Sequence, residues 1–183
     1  MPTTALVVFA EGFEDVEAVT AVDVLRRAGV EVTAAGLAPG LVRGARGTAV
    51  QPDATLREAA GKLYDALVLP GGAKGAENLA ASAAVKELIL RHMSAGKVVA
   101  AICAAPAEVL APAGVLAGKT ATGFPGTEKS FPPGARFSQD RVVWDGNLLT
   151  SRAMGTALEF SLALVGRLCG EAEAQKIRAA VLA

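Results

Sequence analysis

Cys103 lies at the junction between an apolar, strand-like run, VVAAI, and the helix-forming segment AAPAEVL. Ala104 and Ala105 are small enough for a sharp turn, and Pro106 falls where a first helical turn accepts a residue without an N–H. This is the pattern of a nucleophile elbow, which presents a side chain at a strand end in front of a helix N-terminus. Amide hydrogens and partial positive charge there stabilise a thiolate, so the thiol is expected below its free value of about 8.5. The competing reading is packing, because unpaired cysteine is among the commonest core side chains.

A second turn, Pro70-Gly71-Gly72, closes the preceding strand-like run and is expected at the same sheet edge as Cys103. Its glycines let backbone approach a ligand closely, so the amides of Gly72 and Ala104 are expected to form an anion or oxyanion pocket, with Gly71 lining it. Gly72-Ala-Lys-Gly75 imitates the end of a dinucleotide fingerprint, but Pro70 occupies the first glycine position. The next strand also ends in Cys103, where a ribose-binding acid would be needed. A bound nucleotide is therefore not expected.

A cysteine hydrolase needs a base, and the one histidine, His92, ends the helix before the Cys103 strand. That helix runs back to the amino edge of the sheet. A strand of about six residues at about 3.3 Å each separates His92 from Cys103, roughly 20 Å. His92 is therefore read as structural or surface, and a zinc site is not expected. Glu17 can reach. It stands in line with Ala21, Val24 and Ala28 at helical spacing, a carboxylate heading an apolar stripe. The alternative is a partly exposed acid at a helix start, where the macrodipole favours it. Against Cys103, two negative charges would be disfavoured, so a thiolate beside a protonated acid is expected, a pair able to bind an electrophile and shuttle its proton.

The elements that must position these groups are legible as alternating patterns. Strands are expected at 5–9, 30–35, 64–70, 97–102 and 147–151, with helices near 14–28, 75–80, 83–95, 105–112 and 153–169. Apolar strands separated by helices specify an α/β, doubly wound, mostly parallel sheet covered on both faces, with chemistry at the carboxyl ends of its strands. The 183 residues suit one domain, 1–183. Eighteen basic and eighteen acidic residues cancel, which leaves no electrostatic footprint for nucleic acid. The N-terminal apolar run meets Glu11 without a basic region before it, and no stretch approaches a membrane span. With two cysteines and no secretory signal, a cytoplasmic protein with reduced thiols is expected.

With Glu17, Pro70-Gly71-Gly72 and Ala101-Ile102-Cys103-Ala104-Ala105-Pro106, the chain resembles the ThiJ/PfpI superfamily. Within it the likeness is to the branch of the Parkinsonism-associated protein deglycase and the YajL-type bacterial chaperones. It extends through VDVLRRAGV, YDALVLPGGAKGAENL, TGFPGTEKSF, RVVWDG and LLTSRAMGTALEF. The resemblance implies a flavodoxin-like fold of the class I glutamine amidotransferase type and a homodimer without cofactor. It makes Cys103 the oxidation-sensitive nucleophile, Glu17 its partner acid, and Gly72 and Ala104 the amide positions around the thiol. It also implies glutathione-independent glyoxalase activity, repair of early methylglyoxal and glyoxal adducts on amino acids, proteins and nucleotides, or a redox-regulated chaperone. The superfamily's protease label is not carried over, because no histidine accompanies Cys103. Many relatives have a histidine where this chain has Phe124, before Pro125. Phe124 moves no proton, so it leaves Glu17 as the acid/base and makes the pocket more apolar. Arg27 and Arg46 match basic positions near the family's dimer interface, while Cys169 is read as packing.

Overall fold

The five apolar runs are all strands in the computed structural model, which describes residues 2–183. In chain order the elements are β1 (Thr4–Phe9), α1 (Asp15–Arg27), β2 (Glu31–Gly36), β3 (Val42–Arg43), β4 (Ala49–Val50), β5 (Ala54–Thr55) and α2 (Leu56–Ala59). There follow β6 (Ala66–Leu69), α3 (Ala73–Ala80), α4 (Ala83–Ser94), β7 (Val98–Ile102), a helical turn Pro106–Leu110 leading into α5 (Ala111–Ala113), and β8 (Thr120–Ala121). The chain then forms β9 (Arg136–Phe137), β10 (Val142–Asp145), β11 (Leu148–Ser151), α6 (Ala157–Cys169) and α7 (Glu171–Ala180).

Seven strands form one sheet in the order β10-β11-β7-β6-β1-β2-β5. All neighbours are parallel except β10, which returns antiparallel to β11. The alternation of side chains along β1 explains the two-sided core. Ala5, Val7 and Phe9 pack on one face with α1 and α6, and Leu6, Val8 and Ala10 on the other with α3 and α4. This is the flavodoxin-like, doubly wound arrangement expected from the sequence.

From β1 the chain goes to β2 on one side, then crosses to β6 on the other, so the strand order reverses between β1 and β6. The loops after β1 and β6 therefore diverge above the sheet and open a crevice at their carboxyl ends. The end of β7, next to β6, supplies the third side.

Several elements differ from expectation. The helix after Cys103 begins as a π-turn, with the Ala111 N–H bonded to the Pro106 carbonyl. Pro112 follows and has no N–H for the Glu108 carbonyl, so regular α-winding cannot start there. The segment expected to be helical from 153 opens with a 3-10 turn, Met154–Thr156. The edge strand β10 was not expected, although Val142–Asp145 and Leu148–Ser151 flank a two-residue Gly146-Asn147 hairpin loop with Gly146 at φ +64°.

Candidate active site

Glu17 occupies the first turn of α1 and is 1% exposed. The buried stripe Glu17, Ala18, Ala21, Val24 and Leu25 faces the core, as the spacing predicts, while Asp23 and Arg27 form an exposed pair at 2.8 Å on the other side. The helix carries Glu17 to the carboxyl edge because α1 starts just after β1 ends. Its Oε2 accepts the Gly71 N–H at 2.8 Å.

Cys103 follows β7 directly and sits at φ +66°, a left-handed conformation that is rare outside glycine. Its own peptide groups hold it there. The Cys103 N–H donates to the Ser151 carbonyl at 3.0 Å, and the Phe124 N–H donates to the Cys103 carbonyl at 2.8 Å. Strain of this kind persists only where surrounding bonds over-determine it. It turns the side chain out of the sheet and beside the Glu17 carboxyl, with Cys103 Cβ and Glu17 Oε2 flanking the same point over Gly71.

The glycines are required by close approach. A Cβ on Gly71 would sit 2.7 Å from both Cys103 Cβ and Glu17 Oε2. Gly72 has φ +87°, and its Cβ would run into the Gly12 carbonyl oxygen. The amides of Gly72 and Ala104 lie near enough to the Cys103 sulfur to favour its charged form. The structure thus brings Cys103, Glu17, Gly71, Gly72 and Ala104 together, with Phe124 beside them through its amide. The Phe124 side chain is 47% exposed at the rim, and Pro125 follows it on the exposed loop.

Other residues are elsewhere. Arg27 is at the far end of α1 from Glu17, and Arg46 lies on the turn between β3 and β4, its N–H donating to Asp15 at 2.9 Å. His92 is fully buried near the start of β6, at the opposite edge from Cys103. Its Nε2 accepts the Tyr64 N–H at 3.3 Å and its Nδ1 lies 2.7 Å from the Leu88 carbonyl, so a neutral ring protonated on Nδ1 satisfies both. Cys169 packs at the end of α6 with its Sγ 3.8 Å from the Ala28 carbonyl. A cavity of about 640 Å³ between Lys62, Asp65, Lys97 and Arg167 also lies at the amino edge and touches none of the Cys103 group.

Burial raises the Glu17 carboxyl from its ordinary 4.5 to about 7, helped by the charge of Glu14 and opposed by the Gly71 N–H and the thiol. The Cys103 thiol is pushed up to about 12, first by burial and then by the Glu17 carboxylate, against the pull of the Gly72 and Ala104 amides. The expected lowering of the thiol is therefore corrected: dry surroundings and a neighbouring negative charge outweigh the donors. The two groups interact, so they titrate as a pair in which loss of the first proton makes the second harder to remove. Glu17 Oε1 is buried without a partner, which disfavours a full charge on the carboxylate. A thiolate beside a neutral acid is then reached by moving the shared proton from sulfur to Glu17, rather than by releasing it to water.

One participant was missed. Glu14 caps α1, accepting the Glu17 N–H on its Oε2 at 2.8 Å. An acid three residues before Glu17 is the available signal. The backbone groups of Ser151 and Phe124 carry no such signal, because any residue type supplies them.

A buried carboxyl paired with a thiol at the switch point of a doubly wound sheet defines a cysteine-centred α/β protein. Residues 3–167 match the DJ-1/PfpI family, and the chain belongs to that family. Protein dj-1beta of Drosophila melanogaster is 41% identical over 184 residues, with 100% of this chain and 98% of that protein covered. The crystal structure of Drosophila DJ-1beta superposes with a TM-score of 0.96 at 40% identity, covering 100% and 98% of the two chains. The glutathione-independent glyoxalase DJR-1.2 of Caenorhabditis elegans is 33% identical over 160 residues, covering 87% of this chain and 85% of its own. The oxidized form of Toxoplasma gondii DJ-1 superposes with a TM-score of 0.95 at 38% identity, covering 98% of each chain.

Proposed function

We propose that this protein is a cysteine-dependent, cofactor-free glyoxalase and deglycase acting on methylglyoxal, glyoxal and their early adducts on amino acids, proteins and nucleotides. The observation that carries the reading is a buried Glu17 carboxyl set beside the Cys103 side chain at the strand end, dry enough to be raised to about 7, where a general acid/base works best near neutral pH. The likeness to a glutathione-independent glyoxalase supports the same reading.

The chemistry follows from the geometry. As the Cys103 sulfur adds to the aldehyde carbon of methylglyoxal, its proton passes to Glu17. The carbonyl electrons move to oxygen, where the Gly72 and Ala104 amides stabilise the developing charge before it is protonated. Glu17 passes the proton it took from sulfur to that oxygen, then as carboxylate takes the proton of the hemithioacetal carbon. It returns that proton to the adjacent carbon while the hydroxyl proton moves to the neighbouring carbonyl oxygen, converting the adduct into a thioester of lactate. Water cleaves the thioester, releasing lactate and restoring the thiol. The net reaction adds one water to methylglyoxal, with no external oxidant or reductant. Phe124 contributes no proton transfer and leaves the rim apolar.

Replacing Cys103 by Ala or Glu17 by Gln each abolishes lactate formation from methylglyoxal. Full activity in either variant rejects this mechanism.

A second reading is a redox-responsive chaperone in which Cys103 is oxidised to sulfenic and then sulfinic acid. The half-buried thiol, with the Gly72 and Ala104 amides favouring its charged form, supports this, as does the likeness to an oxidized DJ-1. Mild peroxide followed by intact mass then shows Cys103 gaining two oxygens before Cys169 gains any; equal uptake at the two cysteines sinks this reading.

A further inference from the structure

The strongest feature left unused by the reaction is the start of α1. Three hydrogen bonds there close on themselves. The Glu17 N–H donates to Glu14 Oε2 at 2.8 Å, the Glu14 N–H donates to the Gly71 carbonyl at 3.0 Å, and the Gly71 N–H donates to Glu17 Oε2 at 2.8 Å. The cycle ties the helix start to the Pro70-Gly71-Gly72 turn, and Gly71 is the residue with no room for a Cβ between Glu17 and Cys103. We propose that Glu14 is a positioning residue for the Cys103–Glu17 pair, holding the Glu17 carboxyl beside the sulfur through this cycle. This deepens the enzymatic reading and rests on it only for the consequence to turnover.

Ordinary helix capping would need none of this. An N-cap satisfies an orphan amide wherever a helix begins. Here the capped amide belongs to the residue whose carboxyl lies beside the thiol, and the capping residue's own N–H completes the circuit through the turn that supports both. A shift of the Glu14 side chain therefore moves Glu17 relative to Cys103 as well as loosening the helix end.

The charges around Glu17 leave Glu14 as the adjustable one. Cys103, from the end of β7, lies beside it, and the turn before α3 contributes the Gly71 N–H, which donates to Glu17 Oε2. The helix α6, packed along α1, carries Glu159 and Arg167. Glu159 is held by Arg141 at 2.7 Å, and Arg167 lies over the Trp144 ring at 4.4 Å. Asp15, next in sequence, is turned to the amides of Arg46 and Thr48. A negative Glu14 beside Glu17 favours the protonated pair, so neutralising it makes the first proton leave at lower pH.

The test follows iodoacetamide alkylation of Cys103 by mass spectrometry against pH in wild type, Glu14→Gln and Glu14→Ala. Glutamine keeps the acceptor and removes the charge, so its rate rises at a pH lower by about half a unit, with the plateau kept. Alanine removes both, and its rate at pH 7 falls roughly fivefold, as the loss of a helix cap allows. Cys169 alkylation and the far-ultraviolet spectrum report on the fold. Curves that overlay the wild type in both variants overturn the proposal, because a merely structural cap leaves the profile unmoved. If Glu14→Ala does not fold, the Glu14→Gln curve decides alone: a shift supports the proposal and an unshifted curve overturns it. The reagent is not an aldehyde, so a wild type that makes no lactate removes the glyoxalase reading while leaving this result standing.

Discussion

At the scale of single residues, the site turns on where one proton resides. Glu17 is dry, and its carboxyl titrates at about 7 in the fold against an ordinary 4.5. Between those values the folded chain keeps a proton that the unfolded chain releases. Its contribution to stability is thus full below about pH 4.5 and is lost as pH rises through about 7. Glutamine does not titrate, so Glu17→Gln gains on the wild type across that window, by about 3 kcal/mol at its upper end. Thermal melts at pH 5 and pH 8 check this: the gap between variant and wild type widens in favour of glutamine at pH 8. A gap independent of pH means that the carboxyl is not raised. Cys103 and Glu17 were both legible in the sequence, one from its strand-to-helix setting and the other as an acid heading an apolar stripe. Their mutual effect was not, because desolvation depends on every surrounding atom and reverses the shift that a helix start alone would give the thiol.

At the scale of elements, the site is built from the ends of β1, β6 and β7, which parallel pairing brings side by side. Alternating apolar runs and helices made this readable, since a buried parallel strand has no polar face to confuse it with a loop. The short pieces were less readable. β3 and β4 are two residues each, too short for any periodicity, and the π-turn after Cys103 depends on Pro106 and Pro112 acting together. The turn Gly71-Gly72 was recognised as a place of close approach, but its stricter requirement emerges only from the packing. Gly71→Ala forces a Cβ against Cys103, Glu17 and the Ile102 carbonyl, backbone and buried atoms that cannot all retreat. The substitution lowers stability by about 2 kcal/mol and removes lactate formation, measured by denaturant melts and methylglyoxal turnover. A Gly71→Ala protein with wild-type turnover would show that the crevice is looser than its contacts indicate.

At the scale of the whole molecule, α1 links the site to the surface. Its inner face holds Glu17, and its outer face exposes Val16 and Val19, 41% and 44% accessible, beside the turn carrying Arg46 that Asp15 anchors. Apolar residues on a helix with a charged rim suit a two-fold interface, and we propose that this face pairs with a second copy of the chain. Light scattering then gives about twice the 18.5 kDa of one chain, and Val19→Glu returns the protein to a single copy. A wild type that remains at one copy removes the dimer. Among the described residues no helix is long and apolar enough to cross a membrane. The expected remoteness of His92 from Cys103 follows from the direction of a helix between parallel strands, and the structure places the two at opposite edges. A single sequence read in this way locates groups by topology well before it locates them by contact.

The central claim is that Cys103 reacts through a proton shared with Glu17. The rate of Cys103 alkylation against pH, in wild type and in Glu17→Gln, tests it most directly. The wild type is predicted to gain reactivity through about pH 7, where the pair loses its first proton, and to keep a plateau above it. Glu17→Gln loses that rise, and its reactivity at pH 7 drops at least about tenfold because the buried thiol must then release its proton to water. Superimposable curves for the two proteins would contradict the account.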